Sequence, residues 1–381
     1  MHQDRDPAGL RVALVHFWLV GMRGGEKVLE ALCRIFPRAD IYTHVARPEA
    51  LSDTLLAHEI RTTFIQKLPG SVRHYQKYLP FMPLALEQLD LRGYDLVVSS
   101  ESGPAKGVIV RADVPHICYC HSPMRYLWDF YQDYLESAGP ATRLLMRPLF
   151  HRLRLWDYAS AQRVDHILAN SSTVARRVRR WWGREAAVVH PPVAVERFTA
   201  PDMSLLHSLP GSPEPGYYLC FGELVGYKRV DLAVQACART GRRLLVAGDG
   251  AERKRLEALG GPSVHFLGRV PDAALPALYA GCRGFLFPGE EDFGITPVEA
   301  MAAGRPVIAY GRGGVLDSVV EGETGIFFRE QTVEALIEAL DVFEQRTFSR
   351  QAAVARAERF SEAVFRRSFL REVEGTGIFR S

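Results

Sequence analysis

Two carboxylates, Glu291 and Glu299, bracket a run in which glycine, threonine and proline sit where a helix would begin: Glu-Asp-Phe-Gly-Ile-Thr-Pro-Val-Glu. Thr296 is a helix-capping residue type, Pro297 suits a first helical position, and Val298 to Ala303 propagate the helix until Gly304-Arg305-Pro306 stops it. Backbone N–H groups at Gly294, Ile295 and Thr296 would then meet an anion, aided by the positive end of the helix dipole. An ionised carboxylate repels a phosphate but accepts strongly from hydroxyls. Glu291 and Glu299 therefore suit a phosphorylated, polyhydroxylated ligand, one on a sugar and the other on a ribose. The same Thr-Pro-Val-Glu run also fits a capping box in which Glu299 only reaches back to the Thr296 amide. What separates the two readings is the company elsewhere in the chain.

Three further groups carry chemistry at strand-to-helix junctions. Gly21-Met-Arg-Gly-Gly25 leads from an apolar run into Glu-Lys-Val-Leu, and Gly24 and Gly25 would let backbone approach a ligand closely. Phe221-Gly-Glu-Leu-Val-Gly-Tyr-Lys228-Arg229 puts two cations at the start of a helical pattern, where they would neutralise a leaving diphosphate; a solvated Lys-Arg pair is the plainer alternative. His121 follows Cys118-Tyr-Cys120, whose spacing matches no usual structural zinc pattern, so it is a site histidine or a core one rather than a metal ligand. Tyr126, Trp128, Tyr131 and Tyr134 come soon after and suit stacking on sugars, or filling a core or lid. Asp249, between Gly248 and Gly250, more naturally shapes its turn than catalyses, and no third glycine of a dinucleotide fingerprint follows.

Such positions need a scaffold of strands. Leu10 to Phe17, Leu96 to Ser99, Gly107 to Val110, His116 to Cys120, His166 to Ala169 and Ala187 to His190 read as short buried strands between helical patterns. After Leu209-Pro-Gly-Ser-Pro-Glu-Pro-Gly216 the alternation restarts with Tyr217 to Phe221, Arg243 to Ala247, Val264 to Phe266, Gly284 to Phe287, Pro306 to Ala309 and Gly325 to Phe328. The predicted fold is α/β, with two Rossmann-like domains facing each other across a cleft. The expected boundaries are 1–195 for an N-terminal Rossmann-like domain, 196–216 for a linker, and 217–381 for a C-terminal Rossmann-like domain with terminal helices.

Composition agrees with two cores, since 381 residues at 47% hydrophobic content exceed what one ordinary domain needs. A formal charge of +3 does not imply nucleic acid. Its distribution is uneven, however: from Arg143 to Arg184 ten arginines stand against Asp157 and Asp165 alone, among Leu144, Leu145, Met146, Leu149, Phe150, Leu153, Leu155 and Trp156. A basic, apolar surface of this kind suits anionic lipid headgroups; a core helix with solvated arginines has the same composition. No run approaches the roughly 18 to 20 apolar residues of a membrane span, and the polar start Met1 to Gly9 lacks a signal-peptide core. The expected location is cytoplasmic, free or peripheral on the inner face of the membrane. Six scattered cysteines, none in a C-x-x-C pair, read as reduced core thiols.

Taken in order, Gly24-Gly25, His121, Asn170-Ser171-Ser172, His190-Pro191-Pro192-Val193, Tyr227-Lys228-Arg229, Gly248-Asp249-Gly250 and the Glu291/Glu299 pair resemble, over nearly the whole chain, the retaining nucleotide-sugar glycosyltransferases of family 4, which have the GT-B fold. Cys120-His-Ser-Pro-Met-Arg-Tyr-Leu-Trp128 is similar to the subgroup of mannosyl- and related transferases that build bacterial O-antigen lipopolysaccharide and exopolysaccharide. The resemblance implies that Lys228, helped by Arg229, contacts the donor diphosphate, that Glu291 binds donor-sugar hydroxyls, and that His121 lies on the acceptor side near the transferred sugar. It further implies ribose binding by Glu299, phosphate binding by the N–H groups of Gly294, Ile295 and Thr296, and close approach of ligand to Gly24 and Gly25.

The implied reaction moves a hexosyl group, with retention, onto a lipid-linked or growing glycan. The first-choice donor is GDP-mannose, ahead of GDP-rhamnose and UDP-hexoses, with no metal or other cofactor. One position departs from the family pattern: Glu223 stands where members commonly have arginine after the glycine of the first nucleotide-domain strand. A carboxylate there would repel a diphosphate unless Arg229 compensates or Glu223 points elsewhere. A non-hydrolysing sugar-nucleotide epimerase and a catalytically weak nucleotide-sugar-binding protein are the alternatives.

Overall fold

The computed structural model describes residues 9–378, so the polar start before Gly9 lies outside the described residues. The chain forms two compact units: the first runs to His190 and takes up the segment from Phe365 on, and the second is Pro191–Val364.

The first unit carries seven strands: β1 (Val12–His16), β2 (Asp40–Thr43), β3 (Ile60–Thr62), β4 (Leu96–Glu101), β5 (His116–Cys120), β6 (His166–Ala169) and β7 (Ala187–Val188). They form one sheet in the order β3-β2-β1-β4-β5-β6-β7. Every pairing is parallel. All residues of β1, β4 and β5 are buried. That is why these strands read as continuous apolar runs rather than as alternation: helices cover both faces of a parallel sheet. The second unit has β8 (Tyr217–Phe221), β9 (Leu244–Ala247), β10 (Val264–Gly268), β11 (Cys282–Phe287), β12 (Val307–Tyr310) and β13 (Gly325–Phe328). Their order is β10-β9-β8-β11-β12-β13, again parallel throughout.

Eight helices of eight or more residues flank these sheets among the described residues. They are α1 (Gly24–Ile35), α2 (Pro140–Ala161), α3 (Ser172–Trp182), α4 (Val230–Thr240), α5 (Ile295–Ala302), α6 (Val333–Glu344), α7 (Arg350–Glu358) and α8 (Glu362–Gly375). In α1, Val28, Leu29, Leu32, Cys33 and Ile35 are buried, the spacing of a helix with one face on a sheet. From α8, Phe365 and Phe369 enter the same core: Phe369 lies edge-on to Phe36 at 6.2 Å between ring centres, and Phe365 edge-on to Tyr119 at 5.8 Å.

Four expectations need correction. Gly107 to Val110 is not a strand: Gly107 ends a short 3-10 turn and lies under Trp156, where any Cβ would stand 2.0 Å from the indole. β2 and β3 are strands that the apolar runs did not reveal, because each is short and β3 carries exposed residues at the sheet edge. The segment 196–216 is not a free connection, since Phe198, Leu206 and Leu209 are buried in the second unit's core, while most residues between them and most of 210–216 are exposed. The terminal segment from Phe365 joins the first unit rather than the second. All six cysteines are buried and free.

Candidate functional site

In an open parallel sheet, ligands bind beyond the carboxyl ends of the strands where the strand order reverses. In the second unit that point lies between β8 and β11, and the loops leaving these two strands carry the residues singled out from the sequence. Lys228, after β8, and Glu291, after β11, form an ion pair with Nζ 3.2 Å from Oε1. Both side chains are largely shielded from solvent. Burial opposes the charge on Lys228, but the Glu291 carboxylate outweighs it and raises the ammonium pKa above its ordinary value, with Glu223 adding in the same direction. Lys228 is therefore a fixed positive charge.

Glycines are what allow the loops to converge here. A Cβ on Gly289 would stand 2.7 Å from the Lys228 Cα, one on Gly222 3.0 Å from its Nζ, and one on Gly314 2.2 Å from the Asp292 carbonyl oxygen. The Gly314 amide also donates to the Glu291 carbonyl at 2.9 Å, fixing the loop before α5. A cavity of about 20 Å³ lined by Cys220, Phe221, Lys228, Leu286, Gly289 and Glu291 lies beneath the ion pair.

The start of α5 differs from the sequence expectation. Its first residue is Ile295, and Gly294, with φ of +86°, occupies the capping position, so Thr296 does not cap the helix and Pro297 is its third residue, not its first. Only glycine takes that left-handed conformation cheaply. The N–H groups of Ile295 and Thr296 still lie in the first turn, where α-helix geometry offers no partner within the helix. Glu299, one turn further on, has a tertiary partner: the buried Tyr279 hydroxyl donates to its Oε2 at 2.8 Å. Burial and the Glu299 carboxylate push the Tyr279 hydroxyl far above its ordinary pKa, so it remains a donor. No sequence motif marked Tyr279; it lies in an apolar helical stretch before β11 and meets Glu299 only in the fold.

Arg229 adopts φ of +50° and turns its guanidinium to Asp231, with Nε 3.1 Å from Oδ1. That pairing occupies the cation expected to compensate for Glu223. Glu223 itself is exposed. Asp249 accepts from the Gly250 amide at 2.9 Å, as a turn-shaping residue does.

In the first unit the order reverses between β1 and β4, and a polar chain has formed at that point. The Ser100 hydroxyl lies 3.0 Å from His16 Nδ1 and 2.9 Å from His121 Nε2. His16 Nε2 is 3.8 Å from Glu26 Oε1, and the other Glu26 oxygen accepts the Arg23 amide at 3.0 Å, closing the N-terminus of α1. Gly24 and Gly25 are the first two residues of α1, and a Cβ on Gly25 would come within 3.5 Å of His16 and 3.7 Å of the His121 Nε2. The glycine thus brings backbone against the histidine pair. Burial, and then the neighbouring His16, holds the His121 pKa down to about 3, so the ring is neutral at pH 7. Ser100 and Glu26 carry no sequence motif, and His16, which by itself reads as a core histidine, joins the polar chain only beside Ser100 and Glu26.

Behind this chain, Lys106 is fully buried between the carboxylates of Asp157 and Glu101, and Asp157 also accepts the indole N–H groups of Trp182 at 2.7 Å and Trp128 at 2.8 Å. Trp128 thus serves the core; Trp181 stacks on it at 5.0 Å. Tyr126 packs against Phe150 in the same cluster.

Comparison with known proteins agrees with the fold that carries these residues. Residues 22–197 match the family described as Glycosyltransferase Family 4, and residues 208–360 match Glycosyl transferases group 1. A GDP-mannose-dependent alpha-mannosyltransferase of Mycolicibacterium smegmatis is 33% identical over 197 residues, 48% of this chain and 49% of that protein. A D-inositol 3-phosphate glycosyltransferase of Kribbella flavida is 30% identical over 200 residues, 46% of this chain and 47% of that one. The chain spans about half the length of the curated relatives it matches. Among solved structures, Anabaena HepE in complex with UDP and glucose aligns with a TM-score of 0.70 at 20% identity, covering 96% of this chain and 99% of that one. The lipopolysaccharide outer core galactosyltransferase WaaB aligns at 0.67 and 17%, covering 96% and 100%. The two family matches cover the loops that carry His121, Lys228, Glu291 and Glu299, and the chain is accordingly built of a glycosyltransferase family 4 domain followed by a glycosyl transferases group 1 domain, on the GT-B fold.

Proposed function

We propose that this chain is a retaining hexosyltransferase that moves a sugar from a nucleoside diphosphate onto a hydroxyl of a lipid-linked or growing bacterial surface glycan, with GDP-mannose as first-choice donor and GDP-rhamnose next. The observation that carries the reading is the ion pair of Lys228 and Glu291 at 3.2 Å, three residues ahead of the glycine that opens α5, at the strand-order reversal of the second unit. Without ligand, Glu291 is the counter-ion that makes a shielded ammonium tolerable. A donor diphosphate supplies a stronger one. Lys228 then turns to phosphate, and Glu291 is released to accept sugar hydroxyls while Glu299 accepts those of the ribose. The mannosyl preference draws support from the relative whose name specifies GDP-mannose.

In the proposed step the bond from the anomeric carbon to the diphosphate oxygen breaks, and a bond from the acceptor oxygen to that carbon forms on the same face. The electron pair leaves on the diphosphate, where Lys228 and the N–H groups of Ile295 and Thr296 stabilise it. The acceptor proton passes to a leaving-phosphate oxygen, because no carboxylate is assigned as a covalent nucleophile. His121, neutral and anchored through Ser100, serves as a hydrogen-bonding group to the transferred sugar. Gly24 and Gly25 line the same end of the first unit. No metal enters the scheme, since the lysine and helix amides carry the leaving-group charge.

A thermal-shift screen over GDP, UDP, ADP and their sugars tests the reading, because a ligand that binds only the folded form raises the melting temperature. GDP and GDP-mannose are expected to give the largest shifts. If UDP wins, the mannosyl preference fails; if no nucleotide shifts the transition, the transferase reading fails with it. Nucleotide release that needs no glycan acceptor and returns a rearranged sugar would instead identify an epimerase.

A further inference from the structure

The ten arginines between Arg143 and Arg184 are not one basic surface. Arg143, Arg154, Arg163 and Arg184 donate to backbone carbonyls, Arg177 pairs with Asp129, and Arg179 pairs with Glu185. The bonds to carbonyls and to Asp129 are braces within the first unit, whereas the Arg179 pair is exposed. Two others, Arg147 and Arg152, lie exposed on α2.

α2 is apolar on two opposite faces, and only one is covered. Phe150, Leu153, Asp157 and Ser160 are buried against the unit. On the other side, Leu144, Pro148, His151, Leu155 and Tyr158 recur at intervals of four, three, four and three, which aligns them along one ridge. Leu144 is 75% exposed, its neighbour Leu145 70% and Leu155 60%. At 100° per residue, Arg147 falls on one flank of this ridge and Arg152 on the other. Leucines more than half exposed between cations complement one environment in both respects: a surface with anionic heads above apolar chains. The length suits it too, since 22 residues extend about 33 Å. Among the described residues no helix is long and apolar enough to cross a membrane, so the contact is a helix lying along the interface.

We propose that the outer face of α2 is a docking surface for an anionic phospholipid bilayer, with Leu144, Leu145 and Leu155 entering the acyl boundary and Arg147 and Arg152 engaging headgroup phosphates. This does not depend on the donor assignment, because no residue of the face belongs to the candidate site.

The full chain is tested by co-sedimentation with phosphatidylcholine vesicles, with and without phosphatidylglycerol, at low salt. It is expected to sediment only with the phosphatidylglycerol vesicles. The L144Q/L145Q/L155Q variant is expected to bind at least tenfold more weakly. R147Q/R152Q should lose about 30-fold, at about 1 kcal/mol per arginine, with the loss shrinking as salt rises. Because all five side chains are exposed, circular dichroism and the nucleotide-induced thermal shift should match the parent in both variants. Absence of parent binding to phosphatidylglycerol vesicles overturns the proposal, as does undiminished binding by both variants. So does a dimer in sedimentation velocity that the leucine variant dissolves while vesicles are ignored, since the face would then join two copies of the chain.

Discussion

A lysine held in an ion pair near a helix N-terminus makes a specific demand on the chemistry. If Lys228 carries leaving-group charge, Lys228→Met removes one charge-assisted contact from a shielded site, worth about 3 kcal/mol of barrier, and kcat should fall by about 100-fold or more. Steady-state kinetics with GDP-mannose and a glycan acceptor measure this; an unchanged kcat would remove Lys228 from the mechanism. Tyr279 supplies a finer probe. Tyr279→Phe leaves the ring in the core and removes only the donor to Glu299, so nucleotide binding should weaken by about 1 kcal/mol, roughly fivefold, by titration calorimetry. If Glu299 engages ribose hydroxyls, binding of a 2′,3′-dideoxy nucleoside diphosphate should not respond to that substitution. An equal response would mean that Tyr279 acts through packing alone.

Elements, rather than single side chains, decide how the first unit answers to pH. Burial holds the His44 and His116 rings, which end or neighbour β2 and open β5, down to about 3. Both stay neutral in the fold, while the unfolded chain takes up protons below their ordinary value of 6.5. Their stabilising contribution is therefore full above 6.5 and is lost as pH falls toward 3, at about 1.4 kcal/mol per pH unit for each ring. Glu101, at the end of β4, acts in the opposite sense: burial pushes its pKa up from 4.5 to about 7, so its contribution is present below 4.5 and lost as pH rises through 7. His121, held down in the same way, adds a third ring, so between 6.5 and 4.5 the three rings less the one carboxyl leave the unfolded state with a net gain of about two protons. Urea titrations at pH 7, 6 and 5 should show stability falling toward acid, and His116→Gln, which retains an amide near the Ser99 hydroxyl, should flatten that slope. A slope unchanged by the substitution would show that His116 takes its proton in the folded state.

At the scale of the whole molecule, the chain's end completes its beginning. Phe369 is fully buried in the core formed by β1, β4, β5 and α1, though more than 200 residues separate it from the last of these strands. Phe369→Ala should cost the first unit about 3–5 kcal/mol by emptying that space. Calorimetry should show one transition moving down while the transition that responds to nucleotide keeps its position. A shift of the nucleotide-responsive transition by the same amount would mean that the two units unfold as one.

The demands of chemistry on residue type are what the linear chain displays. Glu291, Lys228 and His121 follow strands, Glu299 lies in the helix that a glycine opens, and buried parallel strands show as unbroken apolar runs, so the α/β class, most strands and the matched domains were legible in order. Spacing along the chain could not show the rest. Gly294 rather than Thr296 opens α5, in a left-handed turn that glycine takes cheaply, and Gly314 closes on the loop before it at Glu291 and Asp292, more than twenty residues away. Arg229 is drawn to Asp231, Tyr279 finds Glu299, and Ser100 joins His16 to His121 only when β1, β4 and β5 lie side by side. The sequence by itself determined which groups are present and the local elements that carry them, because propensity and periodicity act over a few residues. The tertiary structure alone decided which groups pair, which arginines brace the interior and which unit receives the final helix, because burial and ion pairing depend on neighbours that the fold brings together from distant parts of the chain.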